Sequence, residues 1–250
     1  MDHPLSHTKP ENFSKEQLAY FNQQLESWET SKILEWAIQL FASKIMISTS
    51  FGAESAVLLH LVTQIDPNIP VLFTDTGFHF PETLLHLNDL QKRLNLNLRI
   101  LKPTLNTQDF LNQYGKLYET KPDQCCAMNK VEPFQTALQD YDAWITGVRR
   151  DQSHTRQKLV FVEIISNPNG WLTKICPLLN WNSKMLWDYA KKFDLPYHPL
   201  WSRGYLSIGC SPDCCTRPAQ LGQDPRSGRW ANKDKTECGI HTLPLSAQKE

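Results

Sequence analysis

Lys44-Ile45-Met46-Ile47-Ser48 runs straight into Thr49-Ser50-Phe51-Gly52-Ala53, and Glu54 to Thr63 then carries apolar residues at helical spacing (Ala56, Leu59, Val62). A short apolar run, a small-residue turn and an apolar-periodic run predict strand, loop and helix in succession. The unit recurs. Ile69 to Thr74 predicts a strand with a helix after Pro81, and Leu96 to Leu101 a strand with a helix after Thr107. Another helix begins near Cys125, and Ala143 to Thr146 predicts a fourth strand. Alternation of this kind predicts an α/β fold, a doubly wound, mainly parallel sheet with helices on both faces. Upstream, Ser14-Lys15-Glu16-Gln17 reads as a capping box opening a helix to about Trp28, and a second helix runs from about Ser31 to Phe41. Downstream, Leu159 to Ile165 and Trp171 to Cys176 predict two further strands, and Ser183 to Phe193 a helix. From Pro196 onward the chain is rich in Gly, Pro, Arg and Trp and loses periodicity, which predicts ordered site loops ending in a mobile tail.

Composition excludes several classes. Lys plus Arg and Asp plus Glu both number 26, so the formal net charge is 0. A nucleic-acid binder normally shows a basic field, and none is present overall. No apolar stretch approaches the ~18 residues of a membrane span. Met1 to Lys15 is polar with two prolines and no apolar core, unlike a signal peptide. The expectation is a cytoplasmic chain with no membrane partner, in which thiols stay reduced and disulfides do not form.

Six of the seven cysteines fall in three groups: Cys125-Cys126, Cys210 with Cys214-Cys215, and Cys238 in Glu237-Cys238-Gly239-Ile240-His241. An adjacent pair plus a later cluster reads as a ligand set for a soft metal centre. A lone cysteine in a polar tail reads as a nucleophile that travels to its target. Two buried thiols are the plain alternative for Cys125-Cys126, and the polar run Lys121-Pro122-Asp123-Gln124 fits that poorly. Cys176 is assigned to the core. Lys130 lies four residues after Cys126, on one helix face with it, where a cation would offset thiolate charge.

The turn Ser50-Phe51-Gly52-Ala53-Glu54-Ser55 resembles the Ser-Gly-Gly-x-Asp-Ser loop of ATP pyrophosphatases. Small residues there let backbone N–H groups face a phosphate, with the Ser50 and Ser55 hydroxyls as further donors. Phe51 in place of a glycine would narrow the loop and suit a nucleotide smaller than ATP. An ordinary turn is the competing reading. Thr74-Asp75-Thr76-Gly77 ends the second strand, where Asp75 is a candidate for an adenine amino group or a ribose hydroxyl, or else a helix cap. Gly147-Val148-Arg149-Arg150-Asp151-Gln152, with Arg156 beyond, places three arginines at one strand end, able to grip phosphate or sulfate. A solvated basic loop is the alternative.

These motifs, with Lys130-Val131-Glu132-Pro133, Gly204-Tyr205-Leu206-Ser207-Ile208-Gly209-Cys210, Thr216-Arg217-Pro218, Arg226-Ser227-Gly228-Arg229-Trp230 and Glu237-Cys238-Gly239-Ile240-His241, stand in the order seen in another family. From about residue 44 to 241 the chain resembles the adenylyl-sulfate / phosphoadenylyl-sulfate reductases of assimilatory sulfate reduction. The resemblance implies an adenine-nucleotide α-hydrolase-like (PP-loop) fold. It divides the chain into a helical segment (1–43), a nucleotide-binding reductase domain (44–230) and a flexible tail (231–250). It implies that Cys238 attacks the sulfonyl sulfur, releases AMP and forms an S-sulfocysteine, from which thioredoxin or glutaredoxin releases sulfite. The reductant is expected to be external, because no thioredoxin-like domain follows His241. The substrate-binding residues implied are Ser50, Phe51, Gly52, Glu54, Ser55, Thr74, Asp75, Lys130, Gly147, Arg149, Arg150, Gln152, Arg156, Arg217, Arg226, Arg229 and His241.

The cysteine-rich branch of that family carries a [4Fe-4S] cluster and generally prefers adenylyl sulfate. The ligand candidates here are Cys125, Cys126, Cys210 and either Cys214 or Cys215, with a lean toward Cys215, since two residues are inserted relative to the family's Cys-x-x-Cys. A homo-oligomer is also implied. The alternatives are a phosphoadenylyl-sulfate reductase, an ATP pyrophosphatase acting on RNA, and a zinc-bound interaction module. Phe51, the Glu-Cys-Gly-Ile-His tail and the lack of a basic surface disfavour the second; the arginine loop and Cys238 disfavour the third.

Overall fold

The structure is a computed structural model and describes residues 7–167, 170–211, 215–220, 222–231 and 233–242. Six strands form one sheet: β1 (Ile45–Ser48), β2 (Pro70–Thr74), β3 (Asn97–Leu101), β4 (Ala143–Thr146), β5 (Val162–Asn167) and β6 (Gly170–Ile175). Their order is β3-β2-β1-β4-β6-β5. Every pairing is parallel except β5 with β6. The helices are α1 (Lys15–Leu25), α2 (Thr30–Phe41), α3 (Ser55–Thr63), α4 (Pro81–Leu94), α5 (Thr107–Tyr114), α6 (Leu117–Thr120), α7 (Pro122–Cys126), α8 (Glu132–Leu138) and α9 (Ser183–Lys192).

Side-chain alternation puts the sheet between two cores. In β1, β2 and β4, Ile45, Ile47, Val71, Phe73, Ala143 and Ile145 face one side with α1, α2 and α3. Met46, Leu72 and Trp144 face the other, against Phe134 and Leu138 of α8. The N-terminal helices are therefore part of the main core, because Phe21, Leu25, Ile33 and Leu34 are buried in it. The capping box opens α1 as expected, with Gln17 N–H donating to Ser14 Oγ at 3.2 Å and Ser14 N–H to Gln17 Oε1 at 2.9 Å. The helix ends at Leu25, three residues short of the expected Trp28.

The chain adds β1, β2 and β3 outward in one direction and then crosses to place β4 on the far side of β1. That reversal makes the carboxyl ends of β1 and β4 the switch point, where open α/β sheets bind ligands. No helix among the described residues is long and apolar enough to cross a membrane.

Candidate active site

A cavity opens at this switch point. Ser50, Gly52, Glu54 and Ser55 line it from the loop after β1, and Gly147, Arg149, Gln152 and Arg156 from the loop after β4. Thr74, Lys130, Arg226, Arg229, Cys238 and His241 line it as well. The last four come from the segment that sequence leaves without periodicity. The tail expected to be mobile is docked through its described residues 233–242: Lys233 Nζ donates to the Tyr118 and Glu119 carbonyls, Lys235 pairs with Asp123, and His241 stacks on Trp144 at 5.5 Å between ring centroids.

Phe51 is turned away from the cavity. Its ring is fully buried and packs edge-on against Phe73 at 5.4 Å, so it does not narrow the loop. Its φ of 47° lies in the left-handed region that favours glycine, and the aromatic burial holds it there. Asp75 is likewise spent locally: Oδ1 accepts from Gly77 N–H at 3.0 Å and closes the turn. Arg217 is exposed and outside the cavity wall, its backbone N–H donating to Gly228 O.

The three arginines after β4 do not converge on one anion; each meets a carboxylate distant in sequence. Arg149 pairs with Glu54 at 2.7 Å and Asp151 at 3.0 Å, leaving Nη2 buried with no partner among the described residues. Arg150 leaves the site and clasps Glu26, the residue just after α1, at 2.7 Å, with Asn180 Oδ1 at 2.6 Å. Arg156 pairs with Glu237 at 2.7 Å. The reading of Arg150 as a substrate ligand is therefore corrected to that of a tie between α1 and the β4 loop. Arg150→Ala is expected to lower unfolding stability by roughly 1 kcal/mol, since the pair is part-exposed, and to leave AMP affinity within about threefold; calorimetry measures both.

Cys238 is half-buried in the cavity. Burial pushes its thiol pKa up, but Lys130, the Ile240 backbone N–H and Arg229 outweigh this and hold it below the ordinary thiol value. Lys130 lies in a π-helical turn, Ala127–Val131, between α7 and α8. Such a turn re-aims side chains and recurs at functional sites. Burial disfavours the Lys130 charge, yet Cys210, Cys238 and Cys126 together keep it a firmer cation than usual. The Arg229 guanidinium lies against Gly209, where any Cβ would collide with it.

Cys125, Cys126, Cys210 and Cys215 are buried in one group with Phe110, Leu117, Tyr118 and Trp230. Burial and the neighbouring Cys126 and Cys210 push Cys125 up to about 12, so without a metal it stays a thiol. Cys214 lies outside the described residues. Cys215 is disulfide-bonded, while Cys125, Cys126, Cys210 and Cys238 are free, which corrects the expectation of a chain free of disulfides. Among the described residues no three His, Cys, Asp or Glu side chains converge as ligands of a single metal ion.

Polar groups that sequence reasoning missed ring the thiols. Thr76 Oγ1 lies 3.4 Å from Cys210 Sγ, and Asn129 Nδ2 donates to the Cys125 carbonyl at 3.0 Å with Sγ at 3.7 Å. Trp230 Nε1, Thr216 Oγ1 and His79 Nδ1 are buried with no partner among the described residues. His79 also lines the cavity, and its Nε2 lies 3.0 Å from the Thr74 carbonyl oxygen. Burial holds this imidazole neutral, with a pKa of about 4. Only Asn129 and Thr216 stand beside a cysteine motif in sequence; Thr76, His79 and Trp230 come to the thiols through the fold, so sequence carries no signal that separates them from ordinary loop residues.

Residues 44–218 match the phosphoadenosine phosphosulfate reductase domain. The adenosine 5′-phosphosulfate reductase of Halalkalibacterium halodurans is 41% identical over 222 residues, covering 88% of this chain and 94% of its own. The phosphoadenosine 5′-phosphosulfate reductase of Gloeobacter violaceus is 42% identical over 226 residues, covering 90% and 93%. The crystal structure of the phosphoadenylyl-sulfate reductase from Candida auris, a phosphate complex, aligns with a TM-score of 0.70 at 28% identity, covering 80% of this chain and 96% of that one. Candida glabrata FMN adenylyltransferase shares the fold alone, with a TM-score of 0.55 at 16% identity over 88% of this chain and 75% of its own.

Proposed function

The chain belongs to the phosphoadenosine phosphosulfate reductase family, and from that premise we propose that it reduces adenylyl sulfate to sulfite and AMP through an S-sulfocysteine on Cys238. The observation that carries this reading is the placement of a thiol of lowered pKa, Cys238, in one cavity with the β1 and β4 loops and with Lys130, Arg226 and Arg229. The Cys238 thiolate attacks the sulfonyl sulfur. The S–O bond to the phosphate breaks, and AMP leaves with the electron pair. A thiolate of a thioredoxin-type dithiol then attacks Cys238 Sγ, and sulfite departs with the electrons of the S–S bond. The second thiol of that dithiol resolves the mixed disulfide and returns Cys238 as a thiol, so two electrons pass from dithiol to sulfur. Lys130, Arg226 and Arg229 bind the anionic end, and Ser50, Gly52 and Ser55 serve the phosphate.

The buried thiol group fits a [4Fe-4S] cluster. Four described cysteines share one buried group, a soft donor set once all are reduced, and Trp230 Nε1 and Thr216 Oγ1, without a partner among the described residues, are donors in want of acceptors such as cluster sulfides. A four-iron cluster is larger than one ion, so ligands need not converge on a point. Cys125, Cys126, Cys210 and Cys215 would hold it once Cys215 is reduced, and Cys214 is the alternative fourth ligand. When bound, such a cluster would polarise the anionic end of the substrate through Lys130.

A second reading, reduction of the 3′-phosphorylated donor, is favoured by the name of the Gloeobacter relative. Anaerobic sulfite release from both donors, with iron counted on the same sample, separates them. The expected result is a clear preference for adenylyl sulfate with about four irons per chain. Cys126→Ser and Cys210→Ser are expected to lose the iron, and Cys176→Ser to keep it, because Cys176 is fully buried in the main core. Cys214→Ser and Cys215→Ser, made separately, should differ sharply in iron content. Iron-free active protein would overturn the cluster. The 3′-phosphorylated donor turned over in preference would make the second reading correct.

A further inference from the structure

We infer that Glu237 is a positioning residue for Cys238: clasped by Arg156 and Arg226, it seats the tail so that the neighbouring thiolate faces the sulfonyl sulfur. The inference rests on the proposed role of Cys238.

Glu237 Oε1 accepts from Arg156 Nε at 2.7 Å and Oε2 from Arg156 Nη2 at 2.8 Å, a two-pronged pair. Oε2 also accepts from Arg226 Nη2 at 3.1 Å, which donates to the Thr236 carbonyl at 2.6 Å as well. The three side chains are 8–12% exposed. Burial raises the Glu237 pKa, but the Arg156 and Arg226 contacts outweigh it and keep the group a carboxylate. Arg156 Nη1 donates to Gln152 Oε1, which also accepts from Arg149 N–H at 3.1 Å. A continuous hydrogen-bonded path thus joins the end of β4 to the residue before the nucleophile.

Two observations give this network a positioning role rather than a ligand role. Each nitrogen of Arg156 already donates to a protein group, so in the docked state three of its five N–H donors are committed to Glu237 and Gln152. The charges also favour Glu237 in place. Lys130, Arg156, Arg226 and Arg229 stand against Glu237 and a Cys238 thiolate. Among these groups the cations outnumber the anions, which suits the anionic phosphosulfate. Expelling the carboxylate would enlarge that excess of buried cations.

The test is Glu237→Gln, an isosteric loss of charge, with Glu237→Asp as the conservative control, in the intact protein. Three quantities are read: kcat and KM for the preferred sulfonucleotide, AMP affinity by calorimetry, and hydrogen exchange of residues 236–242. Loss of the clasp should lower kcat on the order of 10- to 100-fold, as a small misplacement of a nucleophile does. KM and AMP affinity should stay within about threefold. Exchange in the tail should rise about tenfold while β1 and β4 keep their protection. Glu237→Asp should recover part of kcat. Tighter AMP binding in Glu237→Gln would overturn the inference, because the carboxylate would then be a place-holder that substrate expels. Unchanged kcat, or an unchanged tail, would overturn it equally. If the unaltered protein releases no sulfite from either donor, the proposed function itself has failed, and that result is distinct from these.

Discussion

Cys238→Ser is expected to abolish sulfite release, by at least about 10⁴-fold, while AMP affinity stays within about threefold. The magnitude follows from chemistry rather than packing. Lys130, the Ile240 N–H and Arg229 draw the Cys238 thiol below its usual pKa despite burial. A serine hydroxyl titrates far above any pH these groups can bring within reach. Should a serine oxygen ever accept the sulfonate, it would form a sulfate ester with no S–S bond for a dithiol to cleave, so turnover would still stop. Mass spectrometry of the protein after incubation with adenylyl sulfate checks the step: a sulfonate adduct on Cys238 without reductant, and none in the variant. Turnover retained in Cys238→Ser would sink the mechanism. Cys176 marks the contrast, since burial pushes its pKa up to about 11 and keeps it an inert core thiol.

The fold was legible because its signal is local. Strand, turn and helix repeat in order along residues 44–146, and the alternation of Ile45, Met46 and Ile47 across the two faces is a period-two pattern. The nucleotide-side loops followed, because carboxyl ends of parallel strands are where such sheets bind ligands. What sequence did not carry was the pairing of charges. Arg149, Arg150 and Arg156 look like one anion grip, but Glu54, Glu26 and Glu237 take one each. Those partners lie at the N-terminus of α3, just past the end of α1 and in the tail, so only the folded chain brings them together. Phe51 was misread for a related reason. Its position in the turn is local, but the direction of its ring is decided by Phe73 on the neighbouring strand. The tail was read as mobile because it lacks periodicity, and that criterion does not reveal the ion pairs of its described residues or the stacking of His241 on Trp144.

Lys130→Gln is expected to lower the rate at neutral pH on the order of 10²- to 10³-fold, the usual effect of removing one preorganised charge from a desolvated site. Lys130 is buried, yet three thiol groups keep it charged, and among the groups that favour the Cys238 thiolate it is the strongest. The sign of the pH effect follows. In the unaltered protein the rate falls as pH drops through the lowered Cys238 pKa, because the thiolate fraction is lost there. Without the Lys130 charge, burial and Glu237 push that pKa up, so the acid limb of the profile moves to higher pH and activity partly recovers in alkali. Lys130→Arg, which keeps the charge, should move the limb little. The measurement is the pH dependence of single-turnover S-sulfocysteine formation, with iron counted in each variant so that a lost cluster is not mistaken for a lost charge. A rate that drops uniformly, with the limb unmoved, would show that Lys130 acts on the bound anion alone and leaves the nucleophile to Arg229 and the Ile240 N–H.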